Sequence, residues 1–245
     1  MKVLGLDLET NGLDVQQCAV VEFGAVLWDT DRQTSLYSLG CLVDDTTSST
    51  YGNWEVCEKL SGITKDDIDR YAENAPSVIS QYESMADEAD FVLAANGKKF
   101  DKLVMDSFLK RYSTGVKTPT EYCWVDLYEF PFPENCKYRN LLYLAAYYGF
   151  INPFPHRALS DAMTMMKIAS NFDMQAMLDR RATPPITLVA KVSYTNRAQA
   201  SERGFMWQKA RKSWIRVIHE SDLEELTPIL ETYPFEVDFI EGDIS

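Results

Sequence analysis

The sequence predicts a mixed α/β domain followed by a small α+β module. Three observations carry this. Three β-rich stretches joined by short turns open the chain. Amphipathic helices and short buried strands then alternate to about residue 172. Beyond that, a Pro-Pro junction leads into a shorter second set of strands and helices. A chain of 245 residues, 46% apolar and 12% aromatic, can build one sizeable core and a small appendage. The expected division is a first domain at 1–178, a linker at 179–185 and a module at 186–245.

Val3 to Thr10 alternates. Leu4, Leu6 and Leu8 fall on one strand face; Gly5, Asp7 and Glu9 fall on the other. Two carboxylates ~4 Å apart repel by roughly 4 kcal/mol at an effective dielectric of ~20. Raised pKa values, solvent or a cation must relieve them. Alone, the pattern also fits an edge strand with a solvated acidic face. Thr10-Asn11-Gly12 turns the chain, Ala19–Trp28 is a second strand, and Ser35–Val43 a third, giving an antiparallel meander. Residues 44–53 are polar and loop-like. Thr64, with Asp67 three residues later, signals a helix start.

Ser77–Ala89 is amphipathic and helical, and Phe91–Ala95 is a short buried strand. It runs through Asn96-Gly97-Lys98-Lys99 into a helix from Phe100 to Tyr112. Asp101 sits in its first turn, where the helix dipole favours a carboxylate by ~0.3–1 kcal/mol. Tyr122–Leu127 is a fifth strand, and Asn140–Tyr148 is a helix stopped by Gly149. Pro153–Arg157 is a loop leading into a helix from 158 to 171, with Asp161 near its start.

A net charge of −13 argues against a nonspecific nucleic-acid coat, but not against an enzyme working through a local basic strip. Five scattered cysteines without a Cys-x-x-Cys pair read as reduced thiols. There is no apolar run of membrane-spanning length and no secretory pattern after Met1-Lys2-Val3. The expectation is a cytoplasmic protein without a membrane partner. Only two histidines are present, which disfavours a Cys/His zinc site. A metal here would need oxygen ligands, pointing to Mg²⁺ or Mn²⁺.

The module reads as a strand at 187–193, a short helix at 196–203 closed by Gly204, a strand at 212–218, an acidic helix at 221–232 and an extended piece at 235–240. From Lys191 to Arg216 there are seven basic residues and one acid, Glu202; from Glu220 onward there are nine acids and no Lys or Arg. Arg203, Trp207, Arg211 and Trp214 interleave basic and aromatic groups, as a single-stranded nucleic-acid surface does. The two tryptophans serve equally well as the core of a small unit. The pattern Ala-x-x-x-Gly-Phe-x-Trp followed by Lys-x-Trp resembles a small module found on phage and mobile-element DNA-processing proteins; a phage-encoded protein would work in the host cytoplasm.

Asp7-Leu8-Glu9-Thr10, Asn96-Gly97-Lys98-Lys99-Phe100-Asp101 and His156-Arg157-Ala158-Leu159-Ser160-Asp161-Ala162 occur in that order. Together they resemble the DEDDh family of 3′→5′ exonucleases over residues 1 to about 172. His156, five residues before Asp161, fits the histidine subclass; Ala95 departs from relatives that carry a histidine before the asparagine. The resemblance implies a ribonuclease H-like fold, with a mixed five-stranded sheet flanked by helices. It implies two Mg²⁺ (or Mn²⁺) ions, ~3.5–4 Å apart in such sites. Asp7 would bridge both, Glu9 and Asp161 would complete one site and Asp101 the other. His156 would take a proton from the attacking water, for which an unperturbed pKa of ~6.5 is suitable.

By the same resemblance Leu8 and Thr10 would meet the terminal base and sugar. Asn96, Lys98 and Lys99 would contact the nucleotide or phosphates, readings that a turn and a solvated helix start also explain. The substrate expected is the 3′ end of DNA, single-stranded preferred, released as 5′-mononucleotides, with any polymerase partner acting in trans. An exoribonuclease of the same family, or a non-catalytic nucleic-acid-binding protein keeping the fold, are the alternatives. The intact acidic set disfavours the last.

Overall fold

The structure, a computed structural model, describes residues 1–45, 54–112, 122–133, 136 and 138–242. Most of the loop expected at 44–53 lies outside the described residues. The chain divides into two compact units, Met1–Phe130 with Arg139–Asn171, and Pro131–Tyr138 with Phe172–Ser245.

In the first unit, β1 (Lys2–Thr10) lies between an antiparallel and a parallel neighbour. β2 (Val20–Asp29) pairs with it from Lys2↔Asp29 to Thr10↔Val20. β5 (Phe91–Ala94) pairs only with Val3, Leu4 and Gly5. β3 (Thr34–Asp44) extends the meander beyond β2, and β6 (Trp124–Asp126) extends the sheet beyond β5. These are the five strands expected. A sixth, β4 (Glu73–Asn74), pairs with Val43 and Asp44 at the sheet's edge. Two residues are too few for any periodicity to reveal them. The strand order among described residues is β4-β3-β2-β1-β5-β6.

The helices are α1 (Trp54–Ser61), α2 (Lys65–Tyr71), α3 (Ala75–Glu88), α4 (Asp101–Tyr112), α5 (Leu141–Tyr147) and α6 (Ala158–Ala169). α2 begins on the expected Thr64 cap: its hydroxyl accepts from the Asp67 N–H at 3.1 Å, and the Asp67 carboxylate accepts from the Thr64 N–H at 2.9 Å. Leu4, Leu6 and Leu8 join Phe23, Ala25 and Leu27 in a core completed by Val78 and Tyr82 of α3 and Val104 and Phe108 of α4.

The opposite face, carrying Gly5, Asp7 and Glu9, is covered by α6 rather than left to solvent. Glycine makes this approach feasible. A Cβ at Gly24, the residue opposite Asp7, would lie 2.1 Å from the Ala158 carbonyl carbon. A Cβ at Gly40, opposite Gly24, would lie 2.7 Å from Leu159 Cδ2. The start of α6 therefore rests directly on strand backbone.

The second unit contains α7 (Met174–Ala182), β7 (Pro185–Lys191), α8 (Arg197–Ser201), β8 (Met206–Gln208), β9 (Ser213–His219), α9 (Leu223–Leu230) and β10 (Glu236–Glu241). Its antiparallel sheet has the order β10-β7-β9-β8 among described residues. The segment 179–185, expected as a linker, instead ends α7 and begins β7. Arg180 holds it, donating to both Asp222 carboxylate oxygens at 2.6 Å. The unit's core is Leu188, Phe205, Ile218, Leu230 and Tyr233. Trp214 packs against it, whereas Trp207, opposite Trp214 on the outer strand β8, is 51% exposed. β10 forms one sheet edge, with Glu236, Asp238 and Glu241 exposed along it. Among the described residues no helix is long and apolar enough to cross a membrane.

Candidate active site

The site forms where β1 outruns its parallel neighbour. Pairing with β5 stops at Gly5↔Leu93, so Asp7, Leu8 and Glu9 extend past the end of β5. Main-chain groups alternate sides along a strand. The Lys2 N–H donates to Asp90 and its carbonyl accepts from the Asp90 N–H, both toward β5. By the same alternation the Leu8 N–H faces that side, where no strand remains to receive it. The Asp101 carboxylate accepts it. Asp101 is 5% exposed at the first position of α4 and also accepts from its own N–H.

Asp126, at the end of β6, fixes the turn before α4. Its carboxylate accepts from the Asn96 N–H at 3.0 Å and the Tyr128 N–H at 2.9 Å. Asn96 takes φ +61°, a conformation asparagine tolerates. This links β5, β6 and α4 to the place where Asp101 meets β1.

The third segment comes from α6. Glu22 on β2, directly opposite Glu9 and 5% exposed, accepts from Arg157 Nη2 at 2.8 Å, from Arg157 Nε at 3.0 Å and from the Ala158 N–H at 2.9 Å. That carboxylate caps the start of α6 and sets the phase of the helix, bringing Asp161 toward β1. Preceding α6, His156 is exposed with φ +60°, an unfavourable conformation costing about 1–3 kcal/mol for a non-glycine residue. Its N–H donates to Asp161 Oδ2 at 3.0 Å. Asn152, 4% exposed, donates from Nδ2 to Asp161 Oδ1, and its own Oδ1 accepts from the Phe154 N–H at 3.1 Å and the Ser160 hydroxyl at 2.6 Å.

Asp7, Glu9, Asp101, His156 and Asp161 are thus brought together. Glu9, His156 and Asp161 each offer a ligand atom, and these lie within 4.8 Å of one another. The electrostatics follow from crowding acids in a partly dehydrated place. Burial first, then Asp101, Glu9 and Asp161, push the Asp7 carboxyl well above its ordinary range. Burial, then Asp161 and Glu22, push Glu9 up to about 8, with Arg157 opposing. Burial also raises Asp101 and Asp161; Leu8 and Asn152 respectively donate hydrogen bonds that hold them back. Mutual repulsion and oxygen donors make a set that a hard divalent cation fits, neutralising the charge that burial penalises.

The remaining expected residues are placed unevenly. Leu8 is 6% exposed with its side chain in the core, so only its main chain addresses the site. The Thr10 hydroxyl donates to the Gly12 carbonyl at 2.7 Å. Asn96 and Lys99 are exposed beside the start of α4, and Lys98 is ion-paired with Glu129. In the second unit Trp207 and Trp214 lie with ring centroids 5.8 Å apart, the Arg203 guanidinium lies 5.2 Å from the centre of the Tyr233 ring, and Arg211 is exposed.

Sequence reading missed Glu22, Asp126, Asn152 and the ionic role of Arg157. Glu22 had left a signal: it is the single acid within the apolar run Ala19–Trp28.

Residues 4–169 match the RNase_T family model, described as exonuclease. No curated protein sequence matches the chain. The nuclease domain of 3'hExo, a DEDDh family member solved bound to rAMP, is similar in structure, with 17% identity and TM-score 0.55 over 69% of this chain and 90% of that one. E. coli Exonuclease I in complex with a dT13 oligonucleotide is similar at 16% identity and TM-score 0.62, over 98% of this chain and 63% of that one. This chain thus spans less than two thirds of that exonuclease I. These likenesses bear out the ribonuclease H-like fold. A match running from β1 to the end of α6 makes the chain a member of the exonuclease family.

Proposed function

We propose that the chain is a metal-dependent 3′→5′ exonuclease that removes 5′-mononucleotides from the 3′ end of single-stranded DNA by a two-metal-ion mechanism. The observation that carries this is the convergence of Asp7, Glu9, Asp101 and Asp161 around one dehydrated spot, with His156 beside it. Asp7, Glu9 and Asp161 would hold one divalent ion, and Asp101 with Asp7 the second. Mg²⁺ or Mn²⁺ fits the donor set. Such ions, when bound, neutralise the phosphodiester and favour attack by water and departure of the 3′-oxygen.

The chain's own groups do the rest. His156, exposed on its loop, would take the proton of the attacking water. The Leu8 N–H and Asp126 hold Asp101 and its turn in place, and Glu22 with Arg157 holds the loop carrying His156. Thr10, Asn96 and Lys99 would contact the terminal nucleotide, Thr10 by giving up its bond to the Gly12 carbonyl, while Lys98 would first have to leave Glu129. The basic, aromatic strip of the second unit, including Arg203, Trp207, Arg211 and Trp214, would add affinity for unpaired strand.

DNA is favoured over RNA because the likeness to E. coli Exonuclease I, solved with dT13, extends over 98% of this chain, second unit included. The 3'hExo likeness, solved with rAMP, covers 69%. An exoribonuclease is therefore the second reading. A gel time course on matched end-labelled DNA and RNA strands, in Mg²⁺, Mn²⁺ and EDTA, tests polarity, sugar and metal together. Shortening from the 5′ end, or equal rates in EDTA, would sink the proposal; faster RNA trimming selects the second reading.

A further inference from the structure

We infer that Asn152 is a positioning residue, whose amide locks the Asp161 carboxylate and the His156 loop into one unit. The kinetic part of this rests on the exonuclease reading; the geometric part does not.

The orientation of the amide follows from its partners. The Phe154 main-chain N–H can only donate, so the atom 3.1 Å from it is Oδ1. The Ser160 hydroxyl donates to the same oxygen at 2.6 Å. Nδ2 is then turned to Asp161, whose carboxylate accepts it on Oδ1. A side chain only 4% exposed thus uses its acceptor to gather both sides of the loop and its donor to orient the acid.

Asp161 closes the ring. Its Oδ2 accepts the His156 N–H at 3.0 Å, across a loop in which His156 takes φ +60°. Each carboxylate oxygen therefore spends one lone-pair direction inside the loop and keeps another for a cation. The Asp161 carboxylate is held at a fixed rotation, and the residue bearing the imidazole is held with it. Outer partners of this kind usually change metal affinity or activity ~10–100-fold when lost.

Asn152→Asp separates the two functions, since it keeps an acceptor for Phe154 and Ser160 but loses the donor to Asp161. Asn152→Ala removes both. Asn171→Ala is the control for a purely structural loss, because the Asn171 amide, at the far end of α6, donates to the carbonyls of Lys167 and Ile168. Four quantities are compared with the wild type: affinity for Mn²⁺ alone by calorimetry, kcat and KM on an end-labelled dT oligonucleotide, and hydrogen exchange of the His156 amide in metal-free protein. For Asn152→Asp we expect Mn²⁺ affinity and kcat to fall ~10–100-fold, with KM within about threefold and partial recovery at high Mn²⁺. His156 exchange should quicken at least about tenfold. Asn171→Ala should lower the melting temperature and move none of these.

Mn²⁺ affinity and His156 exchange within about threefold of wild type in Asn152→Asp would overturn the inference, as would tighter Mn²⁺ binding. If Asn152→Ala does not fold, Asn152→Asp decides alone. If the wild type hydrolyses neither DNA nor RNA, the exonuclease reading fails, while the exchange and affinity comparison still judges Asn152. If it binds no Mn²⁺ either, the exchange comparison judges by itself.

Discussion

The Leu8 main-chain N–H donates to the carboxylate of Asp101, tying the strand that carries two acids to the helix that carries a third. Asp101→Asn can still accept this bond but lacks the charge. Asp101→Ala leaves the buried N–H without its partner, at about 1–3 kcal/mol. Both variants are expected to lose hydrolysis by at least ~10³-fold, and only Asp101→Ala to unfold markedly earlier in urea. Equal stability of the two would contradict the assigned bond.

Asp7→Asn should abolish hydrolysis and raise the melting temperature of the metal-free protein at neutral pH. The Asp7 carboxyl is desolvated and repelled by Asp101, Glu9 and Asp161, so neutralising it removes a penalty of the folded state. A lower melting temperature in EDTA would refute this account of the site.

Stability should fall with rising pH when metal is absent. In the folded chain Glu9 keeps its proton to about pH 8, against an ordinary 4.5. Asp7, Asp101 and Asp161 are shifted in the same direction. Between these limits the folded state binds more protons than the unfolded one, so the unfolding free energy declines with pH. The decline begins near pH 4.5 and is complete above about pH 8 for Glu9. Urea melts at pH 5 and pH 8 in EDTA should show it, and Mg²⁺ or Mn²⁺ at pH 8 should reverse it.

Gly24→Ala is expected to cost more than about 2 kcal/mol and to lower kcat sharply. Its new methyl would meet the Ala158 main chain at 2.1 Å, so α6 must lift and carry Asp161 away from β1. Unfolding melts and initial rates measure the two effects. A variant as stable and active as wild type would mean that α6 does not rest on this strand.

In the second unit, Trp207→Ala should change stability by less than about 1 kcal/mol, since the ring is 51% exposed. It should weaken binding of a dT oligonucleotide about 5- to 150-fold, the worth of ~1–3 kcal/mol per stacked base. Phe205→Ala, at 2% exposure, should cost ~3–5 kcal/mol instead. Fluorescence anisotropy and urea melts separate these outcomes.

What the sequence revealed was local. The two-residue period of Val3–Thr10 placed the acids on one face, and the Thr64–Asp67 spacing placed a helix cap, because both signals lie within a few residues. Three ordered motifs then identified the acids and the histidine. What stayed hidden depends on partners far along the chain. Glu22 meets Arg157 across 135 positions, and Gly24 makes sense only once α6 lies on it. Arg180 turns an apparent linker into packed structure through Asp222, 42 positions away. The alternation of β1 implied that the Leu8 side chain faces away from Asp7, a conflict with the contact that the family resemblance suggested.

Among the described residues β10 is an edge strand of the second sheet, the position at which another strand could be recruited. Glu236, Asp238 and Glu241 line that edge, and no Lys or Arg occurs from Glu220 onward. Two copies meeting edge to edge would bring these acids together, with Lys191 offsetting one charge through its 2.7 Å pair with Asp238. The charge left over is expected to hinder stacking of the folded protein into ordered aggregates. That barrier is strongest at low salt and is screened as ionic strength rises, so turbidity of the folded protein should appear sooner in high salt than in low.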